Sequence, residues 1–122
     1  MALPALLAPQ RFFAAFPFVG HWVDRLGPYN QHLTTDVGAQ YLAFAVLFGW
    51  AATRTSREAS LAACLAWTTF SLPHLGYHVT HLGGFPVTDA TAQTGSLALL
   101  TAVPIALFST LRAPERLRTH GR

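Results

Sequence analysis

The sequence predicts an all-α protein, a transmembrane helical bundle with three full spans and a short or partial helix at the N-terminus. Only 11% of the residues are charged and 52% are hydrophobic, whereas soluble domains contain about 25% charged residues. The charges are also segregated, because residues 37–53, 59–88 and 90–111 carry none. Runs of this length match the roughly 20 residues that a helix needs to cross a bilayer. We expect one integral membrane domain over residues 1–122.

The N-terminal segment is apolar but broken. Pro4, Pro9 and Pro17 interrupt residues 1–18, and each proline removes a helix hydrogen bond or bends the axis. We therefore predict a short or partial helix over about residues 2–16, or an aromatic segment in the membrane interface.

A polar connection over residues 20–36 follows. Trp22 and Tyr29 are residue types that anchor chains at membrane surfaces. Asp36 can accept hydrogen bonds from the free N–H groups of a helix that starts at Val37. The sequence thus predicts an N-cap at Asp36.

The three predicted spans are 37–53, 59–82 and 90–111. Pro73 should bend the second span, because its ring clashes with the preceding turn and it has no N–H to donate. Pro104 is the corresponding residue of the third span.

Charge asymmetry predicts the orientation of these spans. Arginines lie between the first two spans and after the third, whereas the loop over residues 83–89 has no lysine or arginine. These arginines are Arg54, Arg57, Arg112, Arg116 and Arg118. The positive-inside rule then predicts a multi-pass cell-membrane protein with a cytoplasmic C-terminus. A nucleic-acid partner is not indicated, because the basic residues form no patch with aromatic side chains between them.

Three histidines of the second span share one helix face. His74 and His78 are four residues apart and His81 follows three residues later, so their imidazoles project in one direction from a helix. Other polar side chains fall at the same end of their segments: His32, Asp36, Asp89 and Gln93. An ionisable stripe inside a membrane requires a partner, a cavity or a ligand. We therefore predict a polar site near the outer leaflet.

Binding of a transition metal or metal cofactor is the first hypothesis for this site. Neutral imidazoles bind Zn, Cu, Fe and haem iron, and histidines at i and i+4 can share one ion. The predicted metal ligands are His74, His78, His81, His32 and Asp36. The predicted cofactor-binding residues are His74, His78, His81, Tyr77 and Gln93, because oxygens of the last two can fix the imidazole tautomers. A small membrane oxidoreductase or hydrolase would use such a site.

Non-enzymatic alternatives compete with this hypothesis. The polar site could bind a small hydrophobic ligand, a lipid or a quinone-like molecule. It could instead pack against partner subunits, in a homo-oligomer or in a membrane complex. In a third interpretation the histidines are structural and hydrogen bond to loop carbonyls. The lipid bilayer is a partner in every case.

Two groups of motifs bring a family resemblance into view. The first is Pro28-Tyr29-Asn30, His32, Asp36-Val37-Gly38-Ala39 and Tyr41, and the second is Pro73-His74, Tyr77-His78 and His81. They resemble motifs of a group of small, uncharacterised multi-span integral membrane proteins of actinobacterial type. The likeness covers residues 16 to about 111 and implies a four-helix membrane bundle. The first helix of this chain is shorter than that pattern.

Overall fold

Helices make up most of the chain. The computed structural model describes residues 1–112, and this part of the chain contains no strand. The helices are α1 (Ala2–Leu7), α2 (Pro9–Ala14), α3 (Gln31–Arg54), α4 (Arg57–Thr80) and α5 (Val87–Arg112), with a short 3-10 helix at Asp24–Leu26. The predicted all-α class is confirmed.

The predicted N-terminal helix over residues 2–16 is two short helices. Ala8 separates them with φ −144° and ψ 59°, because the ring of a following proline disfavours helical geometry in the residue before it. Pro9 itself begins α2, where its missing N–H leaves no helix hydrogen bond unmade. Ala5 is completely buried, since α1 packs against α3.

Gly38 allows this close approach of α1 to α3. A Cβ atom at position 38 would lie 2.9 Å from the backbone nitrogen of Leu6 and 3.0 Å from the Cβ of Ala5. Both distances are shorter than ordinary van der Waals contact. Gly49, further along α3, has open space where its Cβ would be.

The predicted helix start at Val37 is wrong, because α3 begins at Gln31. The Asn30 side chain accepts a hydrogen bond from the Leu33 N–H at 3.1 Å, and asparagine is among the strongest N-cap residues. Asp36 therefore lies inside α3 and does not cap it.

The other two long helices agree with the predicted spans. α4 and α5 differ from residues 59–82 and 90–111 by at most three residues at either end. Each helix continues through its internal proline, Pro73 in α4 and Pro104 in α5.

A tryptophan compensates for the proline in α5. Pro104 has no N–H to donate to the Leu100 carbonyl, which stands four residues before it. The indole N–H of Trp67 donates to this carbonyl at 2.8 Å. One side chain of α4 thus satisfies a backbone acceptor of α5 and joins the two helices.

The α3–α4 interface changes character along its length. Beside the short connection between the helices, three alanines are buried together: Ala51, Ala59 and Ala63. Further along, aromatic rings fill the space between the helices, with centroids 5.1 to 6.5 Å apart. These rings belong to Tyr41, Phe44, Phe48, Trp67 and Phe70. The interface is therefore formed by small side chains beside the connection and by aromatic rings further along.

One helix within residues 1–112 is long and apolar enough to cross a membrane, by length and composition. This helix is α5, with a mean hydropathy of 1.7 over its most apolar 18-residue window, of which 6% is buried. Three full spans remain a prediction, because α3 and α4 do not meet the same criterion. Arg116 and Arg118, which contributed to the predicted orientation, lie outside the described residues.

The two glycines of α3 should respond oppositely to substitution. Gly38→Ala places a methyl group against α1, and we expect it to lower the free energy of unfolding by about 1–3 kcal/mol. Gly49→Ala places the same group in open space, and we expect it to raise that free energy by up to about 1 kcal/mol through helix propensity. Denaturant unfolding of the purified protein in micelles measures both. Equal effects of the two substitutions would contradict the close contact at Gly38.

The Trp67–Leu100 hydrogen bond should be coupled to Pro104. Trp67→Phe leaves the Leu100 carbonyl unpaired, and we expect a loss of about 1–3 kcal/mol in unfolding free energy. In a Pro104→Ala background the new backbone N–H can bond to that carbonyl, so the same substitution should cost less. The loss of side-chain volume is identical in both backgrounds and cancels. An unchanged cost would show that the indole acts through packing alone.

Candidate functional site

A cavity of about 640 Å³ lies among the N-terminal segment, the connection to α3 and the three long helices. Its aromatic lining residues are Phe12, Phe13, Phe16, Trp22, Tyr41, Trp67, Phe70 and Tyr77. Its other polar lining residues are Asn30, Thr34, Ser71, His74, His78, Gln93 and Ser96. No Asp, Glu, Lys or Arg is among the described residues that line it. The cavity is therefore an apolar space with polar but formally uncharged side chains.

His74 and His78 lie together in the wall that α4 contributes. Their ring centroids are 4.6 Å apart in an edge-to-face arrangement, as the spacing of four residues predicts. His74 also stacks on Phe70, with centroids 5.1 Å apart and the ring planes 20° from parallel. His78 is the more buried of the two, with 8% of its surface exposed.

His81 does not join this pair. Helix α4 ends at Thr80, so position 81 no longer continues the helical face that the sequence spacing implied. The His81 Nδ1 lies 2.8 Å from the Tyr77 carbonyl oxygen, and its ring stacks on the Tyr77 ring with centroids 3.9 Å apart. Tyr77 lines the cavity, whereas His81 is exposed.

His32 and Asp36 lie on an exposed face of α3. The His32 Nε2 is 3.3 Å from the Asp36 Oδ2, and the two side chains are 89% and 60% exposed. Neither residue lines the cavity. The five predicted metal ligands are therefore divided among three places. Within residues 1–112, no group of three or more His, Cys, Asp or Glu side chains is arranged to hold a metal ion.

Gln93 places a buried amide from α5 beside the histidine pair. Only 3% of the Gln93 surface is exposed, and its side chain lies close to that of His78. The two groups are nevertheless not at hydrogen-bonding geometry. The His78 Nδ1 and the Gln93 Oε1 are both buried and have no hydrogen-bond partner among the described residues. Such unpaired groups cost about 1–3 kcal/mol each.

The connection between α2 and α3 forms one side of the cavity. Trp22, Val23, Leu26 and Gly27 of this segment belong to the lining. Arg25, in the same segment, connects this side of the cavity to another loop.

Arg25 attaches this segment to the loop between α4 and α5. Its Nη1 donates to the Gly84 carbonyl at 2.7 Å, and its Nε donates to the His21 carbonyl at 2.9 Å. The guanidinium also lies 5.9 Å from the centre of the Phe85 ring. The cavity wall is therefore tied to the end of the bundle where His78 and Gln93 lie.

Sequence reasoning missed the aromatic walls of the cavity. Tyr41, Trp67 and Phe70 recur at helical spacing with other aromatic residues, a pattern that indicates helix packing but not an open space. Phe12 and Trp22 come from segments that are distant in the sequence. The signal that could have been followed is the recurrence of aromatic residues in both helices, at Tyr41, Phe44 and Phe48 in α3 and at Trp67, Phe70 and Tyr77 in α4.

Comparison with known proteins adds no relative. No protein-family model matches the chain, and searches of curated proteins and of solved structures found no significant match. The motif resemblance to small multi-span membrane proteins therefore stays a prediction.

Proposed function

We propose that this protein binds a small hydrophobic molecule with a polar head, a lipid or a quinone-like compound, within a membrane-embedded helical bundle. The cavity of about 640 Å³ is the observation that supports this proposal. Pockets for small molecules have volumes of about 300–1,000 Å³, with mostly apolar walls and a few convergent polar groups. Here the apolar walls are aromatic, and the polar groups are His74, His78 and Gln93.

Ligand binding fits the site better than metal binding. Protein zinc sites use three or four ligands, whereas the described residues bring only His74 and His78 together. A metal or haem iron held by this pair is the second candidate, favoured by the 4.6 Å between the two ring centroids. His81, His32 and Asp36 do not complete its coordination, because they lie outside the cavity.

The long helices are suited to a bilayer. α3, α4 and α5 contain 24, 24 and 26 residues, which corresponds to about 36–39 Å against a hydrocarbon core of about 30 Å. Large apolar side chains on their outer faces are exposed, among them Val46, Leu65, Leu99 and Val103. In a membrane these side chains contact lipid, and a lipophilic ligand reaches the cavity from the bilayer.

Accessibility of the helix connections tests the membrane arrangement. Single cysteines at Glu58 and Gly84, in a Cys64→Ala background, lie at opposite ends of α4. We expect a membrane-impermeant thiol reagent to label the Gly84→Cys protein from outside intact cells and the Glu58→Cys protein only after lysis. Both substitutions keep the arginines that direct the orientation. Labelling of both cysteines from the same side would contradict a span at α4.

Saturable ligand binding tests the cavity. Trp22 and Trp67 line it, whereas Trp50 does not, so a short-chain quinone should quench the first two indoles saturably in micelles. Val37→Phe adds a ring to the lining, and we expect it to weaken this binding about tenfold or more. Val46→Phe is the matched control, because Val46 is 66% exposed on the same helix and binding should stay unchanged.

Two results would contradict the proposal. Quenching that rises linearly and equally at all three tryptophans would indicate partitioning into the micelle alone. A transition metal or haem at one equivalent in protein purified without chelator, lost on His74→Gln, would favour the second candidate instead. Both measurements use the full-length chain, so they can be compared directly.

A further inference from the structure

On the basis of the proposed ligand binding, we infer that the head group of the ligand is an uncharged aromatic hydroxyl of the phenol or hydroquinone class. This hydroxyl donates a hydrogen bond to His78. Three observations carry this inference. The first is the absence of charged side chains among the described lining residues. The second is that the His78 Nδ1 and the Gln93 Oε1 are buried without a hydrogen-bond partner among the described residues. The third is the presence of aromatic side chains in the cavity wall next to them.

The lining favours an uncharged head. None of the described lining residues is Asp, Glu, Lys or Arg, so an ammonium group would find no carboxylate there, and a carboxylate or phosphate would find no cationic side chain. Burial of an unpaired ion in apolar surroundings costs several kcal/mol. Hydroxyl groups, in contrast, can be satisfied by imidazole and amide side chains alone.

Gln93 selects the tautomer of His78. The unpartnered His78 Nδ1 and the unpartnered Gln93 Oε1 are complementary, since the Nδ1–H of one imidazole tautomer can donate to the amide oxygen. In the proposed bound state these two atoms hydrogen bond to each other. In that tautomer Nε2 carries a lone pair and only accepts. A ligand must therefore be a donor to hydrogen bond to this nitrogen, as a hydroxyl is. An ether or a quinone can occupy the cavity without this hydrogen bond, and we expect it to bind more weakly.

The neighbouring walls favour an aromatic ring beneath that hydroxyl. Phe70 stacks on His74 and is packed against Tyr41 and Trp67 with centroids 6.0 and 5.7 Å away. Aromatic rings gain about 0.5–1.5 kcal/mol from offset or edge-to-face contacts beyond the burial of their area. A planar head therefore fits this end of the cavity better than a branched alkyl group.

Matched probes separate these features. We would compare 4-nonylphenol, its methyl ether, a long-chain alkanol and a fatty acid of similar length by saturable quenching or competition in micelles. The methyl ether keeps the ring and tail but has no donor. We expect the phenol to bind about tenfold more tightly than the ether and than the alkanol, and the fatty acid to bind more weakly than the phenol.

Substitutions of His78 and Gln93 test where the hydroxyl of the ligand binds. His78→Phe and Gln93→Met should bring the affinity for the phenol to that for the ether, while the affinity for the ether changes little. Gln40→Met on the exposed side of α3 is the control for the glutamine change, and it should keep the tenfold preference. Because the wild-type comparison needs no variant, a folding defect in either protein leaves the test valid.

Each contrary outcome has a defined meaning. Equal affinities for phenol and ether in the wild type would overturn this inference and leave the proposed ligand binding in place. An alkanol equal to the phenol would overturn the aromatic head, and tightest binding of the fatty acid would overturn the uncharged head. Failure of every probe to bind saturably would overturn the proposed function itself.

Discussion

The bundle is organised around the packing of small side chains between α3 and α4, beside the short connection that joins the two helices. Ala51, Ala59 and Ala63 are buried there, and small side chains let helix backbones come near each other. Thr55 ends α3 in a left-handed conformation with φ 49°, so the chain reverses within two residues. Farther from this turn, large aromatic side chains lie between the same two helices. The cavity lies among those larger side chains.

Unpaired backbone carbonyls decide how α5 joins this pair. Pro104 leaves the Leu100 carbonyl without its helix donor, and the Trp67 indole supplies one. At the other end, the Arg57 Nε donates to the carbonyl of Leu111 at 2.7 Å, in the last turn of the helix. An unpaired carbonyl is expensive in hydrocarbon, where no water replaces the lost bond. The register between α4 and α5 is therefore fixed by directional bonds as well as by apolar packing.

The long helices could be predicted from sequence because charge-free runs and turn residues mark their ends. The start of α3 could not, since Asn30 and Asp36 are both good caps and only the folded chain selects between them. The His74–His78 pair follows from helical spacing, but His81 lies just beyond the point where α4 ends. Its position in the sequence assigns Gln93 to the same site, but the placement of its buried amide beside His78 depends on how two helices pack, which periodicity along one segment does not contain. The same holds for the cavity walls.

Amide and imidazole groups give this site polarity without formal charge. A carboxylate beside His78 would favour the protonated imidazole, whereas the Gln93 amide can orient the ring and leave it neutral. Apolar walls favour the neutral imidazole, because a protonated ring would need a carboxylate beside it. The described lining contains no Asp or Glu. In the proposed function, the direction of one hydrogen bond and the contacts between aromatic rings would recognise the ligand. The uncharged side chains of the cavity lining and the apolar exterior of the long helices both fit the lipophilic ligand that we propose.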